Sequence, residues 1–378
     1  MYKMMTPGPT MVAPSVMKAR SLAFGNPDVD TDFCEEYHEL CGEIGDLLGT
    51  GNEVYILCGE GILALEAACA SLTEPGDRVL VIDNGIFGKG FADFVKIYGG
   101  EPVLYTTDYH RPVDVAALEA YLKENHDFKY ATVVHCDTPS GVLNDIASIC
   151  PLLKKYGILT VVDSVAAMFG EEVKVDEWDI DIICGGSQKA LSAPPGLAFV
   201  SVSPEAFCAM KSRKSPIASF YCNLLTFQDY YKNKWFPYTM SISDIYGLKE
   251  AVHLVKEDTG RIERHHKIAE AVRGTVKAAG LTLYLDYGDA ATVTVICVPE
   301  GLTDTAIITR MKEEYGVLIS GCFDVLAGKV IRLGHMGNNA NVEDVKEMLA
   351  ALDRSLEDLG FSCSCDMAEE FSKRIENQ

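Results

Sequence analysis

No apolar run in the chain approaches the ~20 residues that span a bilayer, so no membrane-spanning helix is expected. Basic charge is scarce: 33 Lys and Arg stand against 55 Asp and Glu, a formal net charge of −22. Nucleic acids and anionic membrane surfaces both require basic patches, so neither is expected as a partner. The acidic excess implies little beyond solubility. The first ten residues, Met1-Tyr2-Lys3-Met4-Met5-Thr6-Pro7-Gly8-Pro9-Thr10, lack the long apolar region of a secretory signal, and a cytoplasmic protein is expected. Internal repeats and low-complexity segments are missing. Cys363-Ser364-Cys365 has neither a histidine nor a second cysteine pair beside it, so it reads as a loose tail pair, and no metal site is expected. The 13 cysteines are odd in number and scattered. Several, such as Cys69, Cys136, Cys184 and Cys297, lie in apolar segments, which suits reduced, buried small hydrophobes.

What is present is a globular chain of 378 residues, 48% hydrophobic, long enough for one or two domains. Short apolar segments at 79–83, 131–135, 158–163, 180–184 and 197–202 read as strands. Helical patterns at 115–123 and 147–156 lie between them. This alternation predicts an α/β domain with a mostly parallel sheet. After about residue 255 the alternation loosens. A charged helix is expected over 262–279, strands over 281–285 and 292–298, a helix over 304–315, a strand over 329–333 and a last helix over 342–359. The expected organisation is an N-terminal arm (1–20), a large domain (21–258) and a smaller α+β C-terminal domain (259–378).

Chemistry-bearing residues gather at the ends of these strands. Thr160-Val161-Val162-Asp163-Ser164 is an apolar strand ending in a carboxylate, and Asp181-Ile182-Ile183-Cys184-Gly185-Gly186-Ser187-Gln188-Lys189 is another ending in a lysine. A lysine able to form a Schiff base and an acid able to keep a pyridine nitrogen protonated are the minimum set for pyridoxal 5′-phosphate. Freed from the ring, Lys189 would also serve as general base and acid. Leu57-Cys58-Gly59-Glu60-Gly61-Ile62-Leu63 is a glycine-rich turn opening a helix, where unpaired N–H groups and the helix dipole favour a phosphate. A carboxylate at Glu60 would repel that phosphate, so Glu60 is expected to point away or to pair with a cation. Phe87, in the turn Asp83-Asn84-Gly85-Ile86-Phe87-Gly88, is placed to stack on a flat heteroaromatic ring. Thr138, in His135-Cys136-Asp137-Thr138-Pro139-Ser140-Gly141, could donate to a ring oxygen, while His135 reads as a satisfied core histidine.

Taken together, these motifs resemble the class V aminotransferases of the fold-type I pyridoxal phosphate enzymes, in particular the alanine–glyoxylate, serine–pyruvate and serine–glyoxylate group. The resemblance runs from Thr6-Pro7-Gly8-Pro9-Thr10 to Val330-Ile331-Arg332-Leu333-Gly334 and is most specific at Gly186-Ser187-Gln188-Lys189-Ala190-Leu191-Ser192-Ala193-Pro194-Pro195-Gly196. It implies that Lys189 is the Schiff-base lysine and Asp163 the partner of the ring nitrogen. Phe87 would stack on the ring and Thr138 would hydrogen-bond near it. Gly61, Ile62 and Gln188 would contact the phosphate, and Arg332 would clamp the substrate α-carboxylate. It also implies a homodimer with shared active sites, in which Phe236-Pro237-Tyr238-Thr239 reaches the partner subunit's phosphate and Thr239 supplies a contact.

The chain departs from the family pattern at Glu60, Ile62 and Phe236, where serine, histidine and tyrosine are common. It departs again at Gly25-Asn26-Pro27-Asp28-Val29-Asp30, near the substrate. The expected activity is ping-pong transfer of an amino group from alanine or serine to glyoxylate or pyruvate. Other aminotransferase reactions on the same scaffold, with 2-aminoethylphosphonate or ureidoglycine as donor, remain open. A lyase of the cysteine desulfurase kind would need Cys322 as a nucleophile. A catalytically silent protein on this fold has no support in the sequence.

Overall fold

The computed structural model describes residues 2–22 and 25–377. Seven strands form the central sheet: β1 (Glu53–Cys58), β2 (Arg78–Asp83), β3 (Glu101–Thr106), β4 (Tyr130–Val134), β5 (Leu159–Asp163), β6 (Ile182–Gly186) and β7 (Leu197–Val202). Their order is β1-β7-β6-β5-β4-β2-β3, and only β7 runs against its neighbours. The chain is thus an α/β protein with a mostly parallel sheet. Strands β4, β6 and β7 are buried along their whole length, as continuous apolar runs covered on both faces should be. Because β1 and β6 both run against β7, six strands direct their C-terminal ends to one edge of the sheet, where α/β folds place ligands.

Two elements of this layer go beyond the sequence expectation. β3 is an edge strand that is only partly covered and carries Pro102, so it lacks the apolar run that marks its neighbours. The segment at Ile86, read as a turn, opens a helix, Ile86–Ile97, that buries Gly88, Phe91, Ala92 and Val95. Spacings of three and four put these residues on one face.

The large apolar cluster fills both sides of the sheet. A second cluster joins the helices Arg261–Ala278, Asp304–Tyr315, Val342–Asp358 and Met367–Glu376 to the antiparallel pair β8 (Val293–Cys297) and β9 (Val330–Gly334). The strand expected over 281–285 is not regular. It lies along β8 through a single bridge, Leu283 to Ile296, and the bonds Tyr284 N–H to Val295 O (3.0 Å) and Cys297 N–H to Thr282 O (2.9 Å). The N-terminal residues Lys3–Met4 pair with Val317–Leu318, and Met5 is wholly buried in the second cluster. From there the chain crosses to the edge of the large sheet. Among the described residues no helix is long and apolar enough to cross a membrane.

Candidate active site

A cavity of about 360 Å³ opens at the C-terminal edge of the sheet. Each turn that follows a strand brings one kind of group to it. β1 leads through Glu60 into the helix Gly61–Leu72; β4 runs out to Thr138; β5 ends on Asp163; β6 continues to Gln188 and Lys189. Glu60, Gly61, Ile62, Phe87, Thr138, Asp163, Gln188 and Lys189, all singled out in the sequence, line this one space.

Lys189 is the only cation among its described lining residues. Its Nζ donates to the Pro7 carbonyl at 2.6 Å. Residues 6–10 form a strap across the lysine, fixed by Thr10, whose N–H donates to Gln188 O and whose Oγ1 donates to Lys189 O, both at 3.1 Å. Gly8 is required in the strap: its φ is +94°, and a Cβ there would lie 2.3 Å from Lys189 Cδ. In the sequence, Thr6-Pro7-Gly8-Pro9-Thr10 stands out only as part of a resemblance. Its role as a cover over Lys189 depends on a contact across 182 residues.

Burial, and then the nearby Arg332 charge, push the Lys189 amine down to about 8. A lysine with a lowered pKa is neutral above that value, and the neutral amine is the nucleophile. Capture of an aldehyde at Lys189 should therefore rise with pH through about 8 rather than through the 10.5 of an exposed lysine. Borohydride trapping of the adduct across a pH series measures this, and a midpoint near 10.5 would contradict it.

Asp163 is buried, 4% exposed, and its Oδ1 accepts the Val165 N–H at 2.9 Å. Burial pushes its carboxyl up to about 7, against the opposing effects of that hydrogen bond and of Lys189. A cationic nitrogen brought against it would favour the carboxylate. Phe87 is held by its own N–H, which donates to Asp137 Oδ1 at 3.0 Å. Asp137 is fully buried and also accepts from Ser140 Oγ at 2.7 Å. Asp137 is missed in the sequence, where its neighbour Thr138 stands out, because nothing in a lone sequence shows that a strand-end carboxylate will clamp a turn from another strand.

Arg332, on β9, reaches toward the same space from the second cluster. Its Nε donates to Gly321 O at 2.7 Å, its Nη1 lies 3.5 Å from Thr138 O, and its guanidinium carbon is 5.9 Å from the ring centre of Phe323. Phe323 in turn meets Phe87 edge-on at 6.0 Å. His135 is buried, bonded to Ser164 Oγ at 3.1 Å and pushed down to about 4 by burial, a satisfied core histidine.

One expectation needs correction. Glu60 neither points away nor pairs with a cation. Its Oε1 accepts the Ile62 N–H at 3.1 Å and its Oε2 accepts from Gln188 Nε2 at 3.3 Å. The helix N-terminus offers unsatisfied donors and a favourable dipole, so the carboxylate turns inward to cap it. Phe236, which lacks the tyrosine hydroxyl common at its position, is buried in an aromatic group with Phe33, Tyr37 and Tyr230. Thr239 is exposed, donates to Asp28 Oδ2 at 2.8 Å, and does not line the cavity of its own subunit. Cys322 is half-buried with Sγ 3.8 Å from Pro139 O, and burial pushes its thiol up, the opposite of what a nucleophilic thiolate needs.

The model of the class V aminotransferases matches residues 8–348. The chain is 35% identical over 363 residues to an uncharacterized aminotransferase of Methanocaldococcus jannaschii, covering 95% of this chain and 93% of that protein. It is 33% identical over 347 residues to the pyridoxamine–pyruvate transaminase of Mesorhizobium japonicum, covering 89% and 86%. The crystal structure of the ureidoglycine–glyoxylate aminotransferase of Bacillus subtilis superposes with a TM-score of 0.95 at 29% identity, covering 100% of this chain and 98% of that one.

Proposed function

The chain belongs to the class V aminotransferases, and from that premise we propose that it moves an amino group between a small amino acid, alanine or serine, and a small 2-oxo acid, pyruvate or glyoxylate. The observation that carries this reading is that Lys189 and Asp163 line one cavity, while Arg332, from a separately packed region, lies beside it with Nη1 3.5 Å from the carbonyl of the lining residue Thr138.

Members of the family are pyridoxal 5′-phosphate enzymes. One end of the cavity fits the ring of that cofactor: an amine of lowered pKa, a buried carboxylate and the half-buried aromatic Phe87 surround it. The other end does not fit the phosphate, because Glu60 holds the helix N-terminus where the anion would go. When bound, a pyridine aldehyde supplies an electron sink for the substrate α-carbon.

The chain's own residues supply the rest. Lys189, with its amine lowered to about 8, would hold such a ring and could take and return a proton at Nζ. Asp163 would hold positive charge on a nitrogen brought against its carboxylate. Pro9, Val165 and Ala166 line the space with apolar surface and limit water. Arg332, anchored through Nε, presents a planar fork to the α-carboxylate.

We also read the chain as a homodimer in which Thr239 acts on the partner subunit's cavity. The exposed aromatics Phe220, Tyr221 and Trp235 support such a contact, and Tyr221 stacks at 4.4 Å on Tyr238, next to Thr239.

Adding alanine, serine, glycine, cysteine and 2-aminoethylphosphonate one by one to the ring-loaded protein, and following its absorption, tests the reading. Conversion to the amine form by alanine or serine is expected. Sulfide release from cysteine, with no donor converting the spectrum, would overturn it in favour of a lyase. For Arg332→Ala, loss of a charge-assisted bidentate contact should raise KM for α-carboxylate substrates by about 10- to 100-fold. Ring binding should remain. Lost ring binding without a carboxylate effect would reject the clamp.

A further inference from the structure

The end of the cavity that should receive a phosphate already holds a carboxylate and an unpartnered amide oxygen. Glu60 places a carboxylate there, already holding the Ile62 N–H at 3.1 Å, while the Leu63 N–H is held by Glu60 O at 2.8 Å. Gln188, 7% exposed, donates its Nε2 to Glu60, which fixes the orientation of its amide. That leaves Gln188 Oε1 buried with no partner among the described residues. Lys189, the one lining cation among the described residues, is engaged at the ring end by Pro7 O. A phosphate dianion brings acceptors and negative charge to a place that already has both. A hydroxyl brings a donor and no charge, and both Glu60 and Gln188 Oε1 can accept from it.

We propose that the ring taken by this cavity is the unphosphorylated one. Pyridoxamine enters as an amino donor and pyridoxal leaves as its product, with Glu60 and Gln188 recognising the 5′-hydroxyl. The proposal rests on the aminotransferase reading above, keeping its 2-oxo acid as acceptor and putting pyridoxamine in place of the amino acid as donor. A relative that shares 33% identity over 89% of the chain carries pyridoxamine in its name, so the scaffold accommodates that chemistry. In the exchange, the C4′–N bond of pyridoxamine breaks and a Cα–N bond forms on the 2-oxo acid. A proton leaves C4′ and a proton arrives at Cα. The ketone oxygen departs as water, and water returns the oxygen of the new aldehyde. The ring carbon loses the electron pair that the 2-oxo acid gains, so no outside oxidant is required. Pyridoxal remains able to react with Lys189, which makes the ring an exchangeable substrate rather than a resident group.

The test is binding. The purified full chain is titrated with pyridoxal and, separately, with pyridoxal 5′-phosphate, reading the absorbance of the lysine adduct and what survives gel filtration. Bringing a phosphate against the Glu60 carboxylate weakens binding, so pyridoxal should bind tighter by about tenfold or more. Glu60→Gln keeps the size and removes the charge. It should improve phosphate-form binding by about tenfold while moving pyridoxal much less. Equal affinity for the two, or preference for the phosphate form by the unaltered chain, overturns the proposal. If the phosphate form is the one held and amino transfer still proceeds, the proposal falls and the aminotransferase reading stands. If neither ring forms an adduct, both fall.

Discussion

Lys189→Ala is expected to abolish turnover, with a fall of at least about 10⁴-fold, because one amine performs two tasks that are each worth orders of magnitude. In the proposed mechanism it would attach the ring and carry the proton between carbons. Nothing else in the cavity can replace it. The other ionisable lining groups among the described residues are Glu60, Asp163 and Cys136, and none offers a nitrogen nucleophile. Lys189→Arg should not rescue the loss. An arginine restores the charge and can reach the Pro7 carbonyl, but its pKa prevents it from cycling a proton near neutrality. Single-turnover and steady-state rates on both variants measure the effect, with circular dichroism showing that the fold is kept. Normal steady-state transamination by either variant would remove the lysine from the mechanism.

For Asp163→Asn the expected loss is about 10²- to 10³-fold in kcat, a size typical of removing one preorganised electrostatic contact from a reacting site. The substitution keeps shape and volume, so the packing around β5 should survive. The amide oxygen of the new side chain can still accept the Val165 N–H that now bonds Oδ1 at 2.9 Å. Only the charge is lost, and with it the ability to hold a proton on a facing nitrogen. The pH dependence should show the same cause. Burial raises the carboxyl to about 7, so the anionic form in the free enzyme is lost as pH falls through that value. Ring binding by the native chain should weaken on that side, while the Asp163→Asn variant should lose that limb of the profile. Unchanged kinetics in the variant would reject the charge role.

Much of this site can be read from the sequence because its residues follow buried strands. Asp163 and Lys189 end or closely follow apolar runs that only a central strand can use, and those strands fall where the runs predict, with β7 matched at both ends. What cannot be read depends on contacts between distant segments. The direction of Glu60 depends on whether a helix N-terminus or solvent wins its carboxylate, and the Gln188 amide, 128 residues away, helps decide it. The burial of Phe236 follows from an aromatic core around Tyr37 that is assembled from distant segments. The strap over Lys189 is five ordinary residues until the parallel pairing of Lys3–Met4 with Val317–Leu318 anchors it. β3 is missed for a simpler reason: an exposed edge needs no apolar signature.

The central claim is that Lys189 is the residue to which the ring attaches, and one measurement reaches it directly. The protein is incubated with pyridoxal or its 5′-phosphate and reduced with borohydride, and the peptides are mapped by mass spectrometry. The account predicts a single stoichiometric label on Lys189, lost when excess amino donor is added before reduction. Label spread over surface lysines, or none on Lys189, would contradict it.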